Sequence, residues 1–176
     1  MLNDRVGRFA YIENETPALI AGLGGSAQYP AVHGTAFVYW LPVGFYIVLE
    51  LRGLPPSQVF GLHIHDGTVC EPLDGETFSH PTLGAQAGRH LNNCGEGLWC
   101  SRHPYRAGVL PPVFSNAEGE AVMQVYIDRA ALDEVAGKPL VLHRMPDDFK
   151  TQPAPDARAA GNSGIRIACG VLAQNI

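Results

Sequence analysis

Short apolar runs separated by glycine and proline are the feature that most limits how this chain can fold. The 176 residues include 20 Gly and 14 Pro but no low-complexity stretch or repeated period, so both residue types act as turn formers. The intervening runs are rich in β-branched and aromatic residues, which favours strands. The predicted strands are 18–23, 32–40, 45–52, 59–65, 121–127, 139–143 and 165–172. About eight strands with almost no helix predict an all-β antiparallel sandwich or barrel.

The segments between these strands are also predictable in part. Leu41–Gly44 is predicted to form a hairpin turn, and Asp128–Glu134 a single helical turn. Residues 1–16 are polar and weakly patterned, so we expect an irregular leader followed by one domain over residues 17–176. Three aromatic residues leave open whether they belong to a core or to a homodimer interface: Trp40, Phe45 and Tyr46.

The charge pattern argues against two classes of partner. The formal net charge is −5 with both signs scattered, so the chain lacks the basic stripe that binds nucleic acid. No apolar run approaches the roughly 20 residues of a membrane span, and Met1–Arg5 lacks the apolar segment of a secretory signal. We therefore expect neither a nucleic acid nor a membrane as partner.

Two histidines stand one residue apart in a predicted strand. Because successive side chains of a strand alternate between faces, His63 and His65 project together. Two imidazoles on one face can bind one metal ion, and copper is the first candidate if the site is all nitrogen. The alternative is a pair of half-exposed strand residues without a ligand. The other histidines are at positions 33, 80, 90, 103 and 143.

Four cysteines bear on the compartment. They are at positions 70, 94, 100 and 169. An even number is compatible with two disulfides and an oxidising environment, whereas a zinc site made of thiolates alone would need close Cys-x-x-Cys pairs, which are absent. Free buried thiols are the third alternative. Three of the four lie in a long predicted loop, 67–112, and a second loop covers 144–163. Loops of this length are usually functional.

Several motifs in this order resemble the copper,zinc superoxide dismutases, especially their bacterial members. Gly61–Cys70 (GLHIHDGTVC) resembles the family's Gly-Phe-His-x-His segment, and Gly161–Val171 (GNSGIRIACGV) its C-terminal signature. Between them, Ala87–His90 resembles the loop that ends in the histidine between the two metals. Leu140–His143 resembles the strand end with the last copper ligand, and Pro146–Pro153 the electrostatic loop. The resemblance covers residues 18–173.

The resemblance implies an eight-stranded Greek-key barrel or sandwich, immunoglobulin-like, with two long functional loops. It implies a disulfide between Cys70 and Cys169. It also implies Asp147 as the residue that orients His63, and Arg166 as the positive charge that attracts a small anion. His90 would both bind copper and transfer a proton. The copper ligands implied are His63, His65, His90 and His143.

The zinc site departs from the family pattern. Where the family has His-x-Gly-Asp-Leu-Pro, this chain has Arg106-Ala-Gly-Val109-Leu-Pro, so a histidine and an aspartate are replaced. His90 and His103 remain as nitrogen ligands, whereas structural zinc almost always has four. We therefore expect no tightly bound zinc, with His103 as a residual ligand. A disulfide between Cys94 and Cys100 is our hypothesis for what restrains this loop instead.

The resemblance implies a copper-dependent oxidoreductase that disproportionates superoxide to dioxygen and hydrogen peroxide. The alternative from another class is a copper-binding or carrier protein of the same fold with little turnover. Retention of Arg166 and of all four copper histidines favours the enzyme, because a carrier needs no anion guide. The paired cysteines favour an extracytoplasmic compartment, whereas the missing signal peptide leaves the cytoplasm open.

Overall fold

The computed structural model describes Ile12 and residues 15–70, 107–149 and 161–176. These parts of the chain form nine strands and one short helix, α1 (Leu132–Val135). No helix in them is long and apolar enough to cross a membrane. The strands are β1 (Leu19–Gly25), β2 (His33–Trp40), β3 (Phe45–Arg52), β4 (Val59–Ile64), β5 (Val113–Phe114), β6 (Ala121–Ile127), β7 (Pro139–His143), β8 (Arg166–Val171) and β9 (Ala173–Gln174).

The strands form a nearly closed antiparallel barrel. β1, β2 and β3 are a meander that β6 extends, while β4 pairs with β5 and β7, and β7 with β8, which returns to β1. Eight strands follow the order β5-β4-β7-β8-β1-β2-β3-β6, and β9 pairs with β1. The end strands β5 and β6 pack together. Because the β3–β4 and β6–β7 connections cross over other strands, the predicted Greek-key barrel is confirmed.

The predicted strands agree closely with those observed. β3, β6 and β7 have the predicted bounds; β2 and β4 differ by one residue at one end, and β1 and β8 by one or two residues at both ends. α1 overlaps the predicted helical turn. β5 and β9 were not predicted, because a strand of two residues is too short to show an alternating pattern.

The main core fills the barrel interior and takes every second residue of β3, β4 and β7. In β3 the side chains of Phe45, Ile47, Leu49 and Leu51 are fully buried in the main core. The turn before β3 depends on Gly44, which has φ +71° and whose missing Cβ would lie 1.9 Å from the carbonyl oxygen of Ile127. Only glycine meets both demands, so this turn fixes where β3 starts.

The opposite face of β2 and β3 carries a second apolar group, here called the outer cluster. It consists of Ile12, Tyr39, Tyr46 and Val48, all buried. Ile12 therefore brings one residue of the predicted leader against the barrel; residues 1–11, 13 and 14 lie outside the described ranges. The three aromatic residues left open by the sequence are thus divided: Phe45 is in the main core, Tyr46 is in the outer cluster and Trp40 is 57% exposed.

Candidate metal centre

Strand β4 carries the His-x-His pair on the outer face of the barrel. Leu62 and Ile64 are buried in the main core, so the alternation of the strand directs His63 and His65 to the other face. Both histidines are almost completely buried, at 0% and 1% exposed. They are therefore not the half-exposed surface pair that the alternative without a ligand required.

Strand β7 adds a third histidine to the same face. In the β4–β7 pairing His63 lies opposite Val141, and His143 lies opposite Gly61. His143 is therefore a diagonal neighbour of His63, and Gly61 leaves room beside it. A Cβ at position 61 would approach the Oγ of Ser163 to 3.0 Å. Glycine inside a strand signals such close approach, so Gly61 is the sequence signal that could have located this crowded position.

The three imidazoles converge tightly. One nitrogen from each of His63, His65 and His143 lies within 4.8 Å of the others. The Nε2 atoms of His65 and His143 are 3.3 Å apart, and the ring centres of His63 and His143 are separated by 4.7 Å. Among the described residues these are the only three His, Cys, Asp or Glu side chains that meet this closely.

Hydrogen bonds determine which nitrogens carry lone pairs. Nε2 of His63 donates to Oδ2 of Asp147 over 2.8 Å, since an ionised carboxylate can only accept. Nδ1 of His143 donates to the carbonyl oxygen of Gly164 over 3.2 Å. The lone pair therefore resides on Nδ1 of His63 and on Nε2 of His143. Outer hydrogen bonds of this kind orient metal ligands and fix their tautomers.

Asp147 is itself held in place. Its Oδ1 accepts the backbone N–H of Phe149 at 2.7 Å, and the residue is only 6% exposed. Gly161 passes so close that a Cβ there would lie 2.3 Å from Oδ1 of Asp147. Gly161 also has φ +56°, so both the space beside Asp147 and the backbone conformation require glycine at this position. The carboxylate thus has little freedom to leave His63.

The surroundings of His143 favour its neutral form. Loss of hydration on burial, followed by repulsion from His63 and His65, holds the pKa of His143 well below its ordinary value of 6.5. A neutral imidazole keeps the lone pair that a metal ion needs. Three buried imidazole side chains fit the ligand preferences of copper and zinc, whereas calcium and magnesium prefer oxygen ligands.

Arg166 supplies a positive charge next to this cluster. It lies opposite His143 in the β7–β8 pairing, where a register shift interrupts the ladder, and its charge contributes to the lowered pKa of His143. Burial lowers the pKa of Arg166 to about 10, partly offset by the Asp66 carboxylate. The guanidinium therefore remains charged at neutral pH.

A disulfide links the long loop to the last long strand. Cys70 and Cys169 are bonded across 99 residues of sequence, which confirms that predicted pair. Cys169 lies opposite Val141, and Val141 opposite His63. The disulfide is therefore in the same cross-strand row as the central histidine, and it packs against Val141.

Other residues of the predicted site lie outside the described ranges. Among them are the fourth copper histidine, the second histidine of the zinc site and the second cysteine pair: His90, His103, Cys94 and Cys100. Their roles stay predictions. Val109, which replaces the zinc aspartate of the family pattern, is described; it is 1% exposed and forms an isolated antiparallel bridge with His63. Nothing in the sequence indicates that Val109 lies beside His63.

Comparison with known proteins agrees with this geometry. The copper/zinc superoxide dismutase family model matches residues 32–172. A protein named superoxide dismutase [Cu-Zn] 2 from Aquifex aeolicus is 34% identical over 139 residues, which is 73% of this chain and 72% of that protein. Proteins named superoxide dismutase [Cu-Zn] from Caulobacter vibrioides and Escherichia coli are 30% and 35% identical, over 79% and 70% of this chain and 77% and 68% of their own lengths. The chain belongs to the copper/zinc superoxide dismutase family.

Proposed function

We propose that this chain is a copper-dependent superoxide dismutase that works without a complete zinc site. The observation that carries the proposal is the buried group of three imidazoles, with ligating nitrogens within 4.8 Å of one another, next to a guanidinium. When bound, copper supplies a one-electron Cu(II)/Cu(I) couple, so that one superoxide is oxidised to dioxygen and a second, with two protons, is reduced to hydrogen peroxide. The chain's own residues bind the metal, orient the ligating histidines and attract the superoxide anion.

Four histidines are proposed as copper ligands. His63 offers Nδ1 and His143 offers Nε2, because their other nitrogens donate to Asp147 and Gly164. His65 joins them through Nε2, which faces the same atom of His143. His90 is proposed as the fourth ligand and as the proton donor to the reduced product, on the basis of the Ala87–His90 motif.

Arg166 is proposed to attract and position superoxide. The formal net charge of the chain is −5, so an approaching anion is repelled overall and needs a local positive field at the site. A partly buried guanidinium concentrates that field, and steering of this kind raises association rates by about 10- to 1000-fold. A carrier of copper has no use for such a charge, which is why Arg166 favours the enzyme.

Zinc is proposed to be weakly bound or absent. The described part of the zinc run places a buried valine side chain at position 109, and valine has no donor atom. Arg106, outside the described residues, brings a cation where the family pattern has a ligand. His103 remains as a residual ligand, and a bond between Cys94 and Cys100 is the proposed restraint of this loop. A homodimer stays a prediction that light scattering tests.

Metal content and turnover measured on one preparation test the function. The purified chain is loaded with both metals, and copper and zinc per chain are measured together with superoxide consumption, with and without added zinc. We expect about one copper, almost no zinc and turnover that zinc does not change. Bound copper without turnover would support a carrier, and bound zinc at a similar level would contradict the proposed zinc loss.

Matched variants locate the activity. Arg166→Gln should keep its copper but lose superoxide turnover, with the loss shrinking as salt screens the field. His33→Gln is the control for the histidines, because His33 is exposed and hydrogen-bonded only locally, to the Ala31 carbonyl oxygen. It should match the unmodified chain in copper content and in turnover.

A further inference from the structure

A short segment, Ala107–Leu110, runs along the edge of β4 that faces away from β7. Its backbone bonds to β4 on both sides of His63: the N–H of Ile64 donates to the Gly108 oxygen at 2.8 Å, and the N–H of Leu110 to the Leu62 oxygen at 3.1 Å. We call it the edge segment. It pairs with the part of β4 that lies beyond the end of β5.

This bonding makes Val109 and His63 a non-hydrogen-bonded antiparallel pair. In such a pair the two side chains lie on the same face and closer together than elsewhere in a ladder. Val109 therefore stands beside the His63 imidazole on one side, while Val141 stands beside it on the other. His63 is confined laterally by two valines, both at most 1% exposed.

The same geometry turns the backbone of Val109 away from β4. Its carbonyl oxygen cannot bond to the β4 ladder, and a backbone acceptor in a buried segment requires another donor. Nη2 of Arg129 donates to this oxygen over 2.5 Å. Arg129 follows β6 and precedes α1, so the bond ties the edge segment to a different part of the barrel through a charged donor.

We propose that Arg129 is a positioning residue, which fastens the edge segment against β4 and so holds His63 in its ligating orientation before any metal binds. All atoms of this fastening belong to the chain, so it operates without zinc. The role in ligation rests on the proposed function, whereas the fastening itself does not. Arg129 acts on His63 through Val109.

Amide exchange of the metal-free protein tests the fastening. Arg129→Met should accelerate exchange at the amides of Ile64 and Leu110 by about tenfold or more, since a charge-assisted bond that opposes local opening is lost. Arg129→Lys, which keeps the charge but not the planar donor geometry, should give a smaller acceleration. The amides of the β2–β3 ladder should be unchanged. Arg52→Met is the matched control, because Arg52 is a surface arginine paired with Glu120 at 3.9 Å.

Two results would overturn the fastening: unchanged exchange at Ile64 and Leu110, or equal acceleration throughout β2 and β3. If Arg129→Met does not fold, Arg129→Lys is judged by the same two criteria.

The positioning role of Arg129 is tested separately, by the electron paramagnetic resonance spectrum of the copper-loaded protein. It should shift in Arg129→Met and stay unchanged in Arg52→Met; a selective exchange effect with an unaltered spectrum would overturn positioning. Failure of the proposed function would instead appear as an unmodified chain that binds copper without turnover.

Discussion

The two halves of the barrel wall, β2–β3–β6 and β4–β7–β8, use their outer faces in opposite ways. β3 and β7 both bury residues on both faces, as their burial patterns show. Outside β3 lies the outer cluster of tyrosines and aliphatic residues, whereas outside β4 and β7 lie three histidines and a disulfide. One half gains stability from its outer face and the other uses it for chemistry.

This difference has a physical cause. Apolar side chains on an outer face remove further surface from water and so add to stability. Buried imidazoles lose hydration, as the lowered pKa of His143 indicates, and this loss must be offset by hydrogen bonds such as those to Asp147 and Gly164. Substitution of a histidine in one half should therefore alter metal binding with little effect on stability, whereas substitution in the outer cluster should do the reverse.

The largest effect is expected on the histidine side. His143→Leu should weaken copper binding by about 100-fold or more, because loss of an outer partner alone typically costs about 10- to 100-fold, and turnover should fall with it. The metal-free variant should unfold at a similar urea concentration, because leucine fills a similar volume and no longer buries a polar ring, which offsets the lost bond to the Gly164 oxygen. Competitive copper titration and urea unfolding measure the two. Unchanged copper affinity would remove His143 from the ligand set.

The disulfide should give the next largest change. In the chain-entropy account, a bond that closes about 100 residues stabilises by about 4.7 kcal/mol, and Cys70–Cys169 spans 99. Cys70→Ser with Cys169→Ser should lower the free energy of unfolding by about that amount. Denaturant unfolding measures it, and in the double variant any further effect of reductant reports only on the proposed bond between Cys94 and Cys100. A loss below about 1 kcal/mol would show that the loop is held by other contacts.

A smaller effect is expected in the outer cluster. Val48→Ala removes two methyl groups from a site that is 1% exposed, which should cost about 2 kcal/mol of unfolding free energy. Copper affinity and turnover should not change, since the cluster lies on the other half of the wall. A fall in copper affinity would mean that the two halves are coupled.

The smallest effect concerns a phenol in the same cluster. The Tyr46 hydroxyl donates to Oε1 of Gln124 at 2.7 Å, so Tyr46→Phe should cost about 1 kcal/mol. Burial raises the pKa of Tyr46 above its ordinary value of 10.0. The fold therefore retains the proton more strongly than the unfolded chain does. The contribution of the protonated phenol to the free energy of unfolding is present below pH 10 and is lost as pH rises through the pKa of Tyr46 in the folded protein. The free energies of unfolding of the unmodified chain and of Tyr46→Phe should differ at neutral pH and converge at strongly alkaline pH. A difference that stays constant with pH would contradict this.

Alternation and turn residues account for how well the strands could be predicted. β3 has its predicted bounds because Gly44 and Gly53, both at positive φ, close its two ends. The orientation of His63 and His65 follows from the same alternation. Arg129 and Val109 could not be paired in advance: they are 20 residues apart, and the motif position of Val109 does not indicate Arg129 as its partner.

By itself the sequence determined an all-β barrel, the face on which the two histidines of β4 project and the family to which its motifs point. These are local properties, since strand period, turn glycines and short motifs depend on neighbours along the chain. Only the tertiary structure decided that Val109, His63, Val141 and Cys169 form one row and that Arg129 meets the Val109 carbonyl. Register between distant strands is set when two faces are buried together, because a shift by one residue would expose the core and bury the wrong side chains.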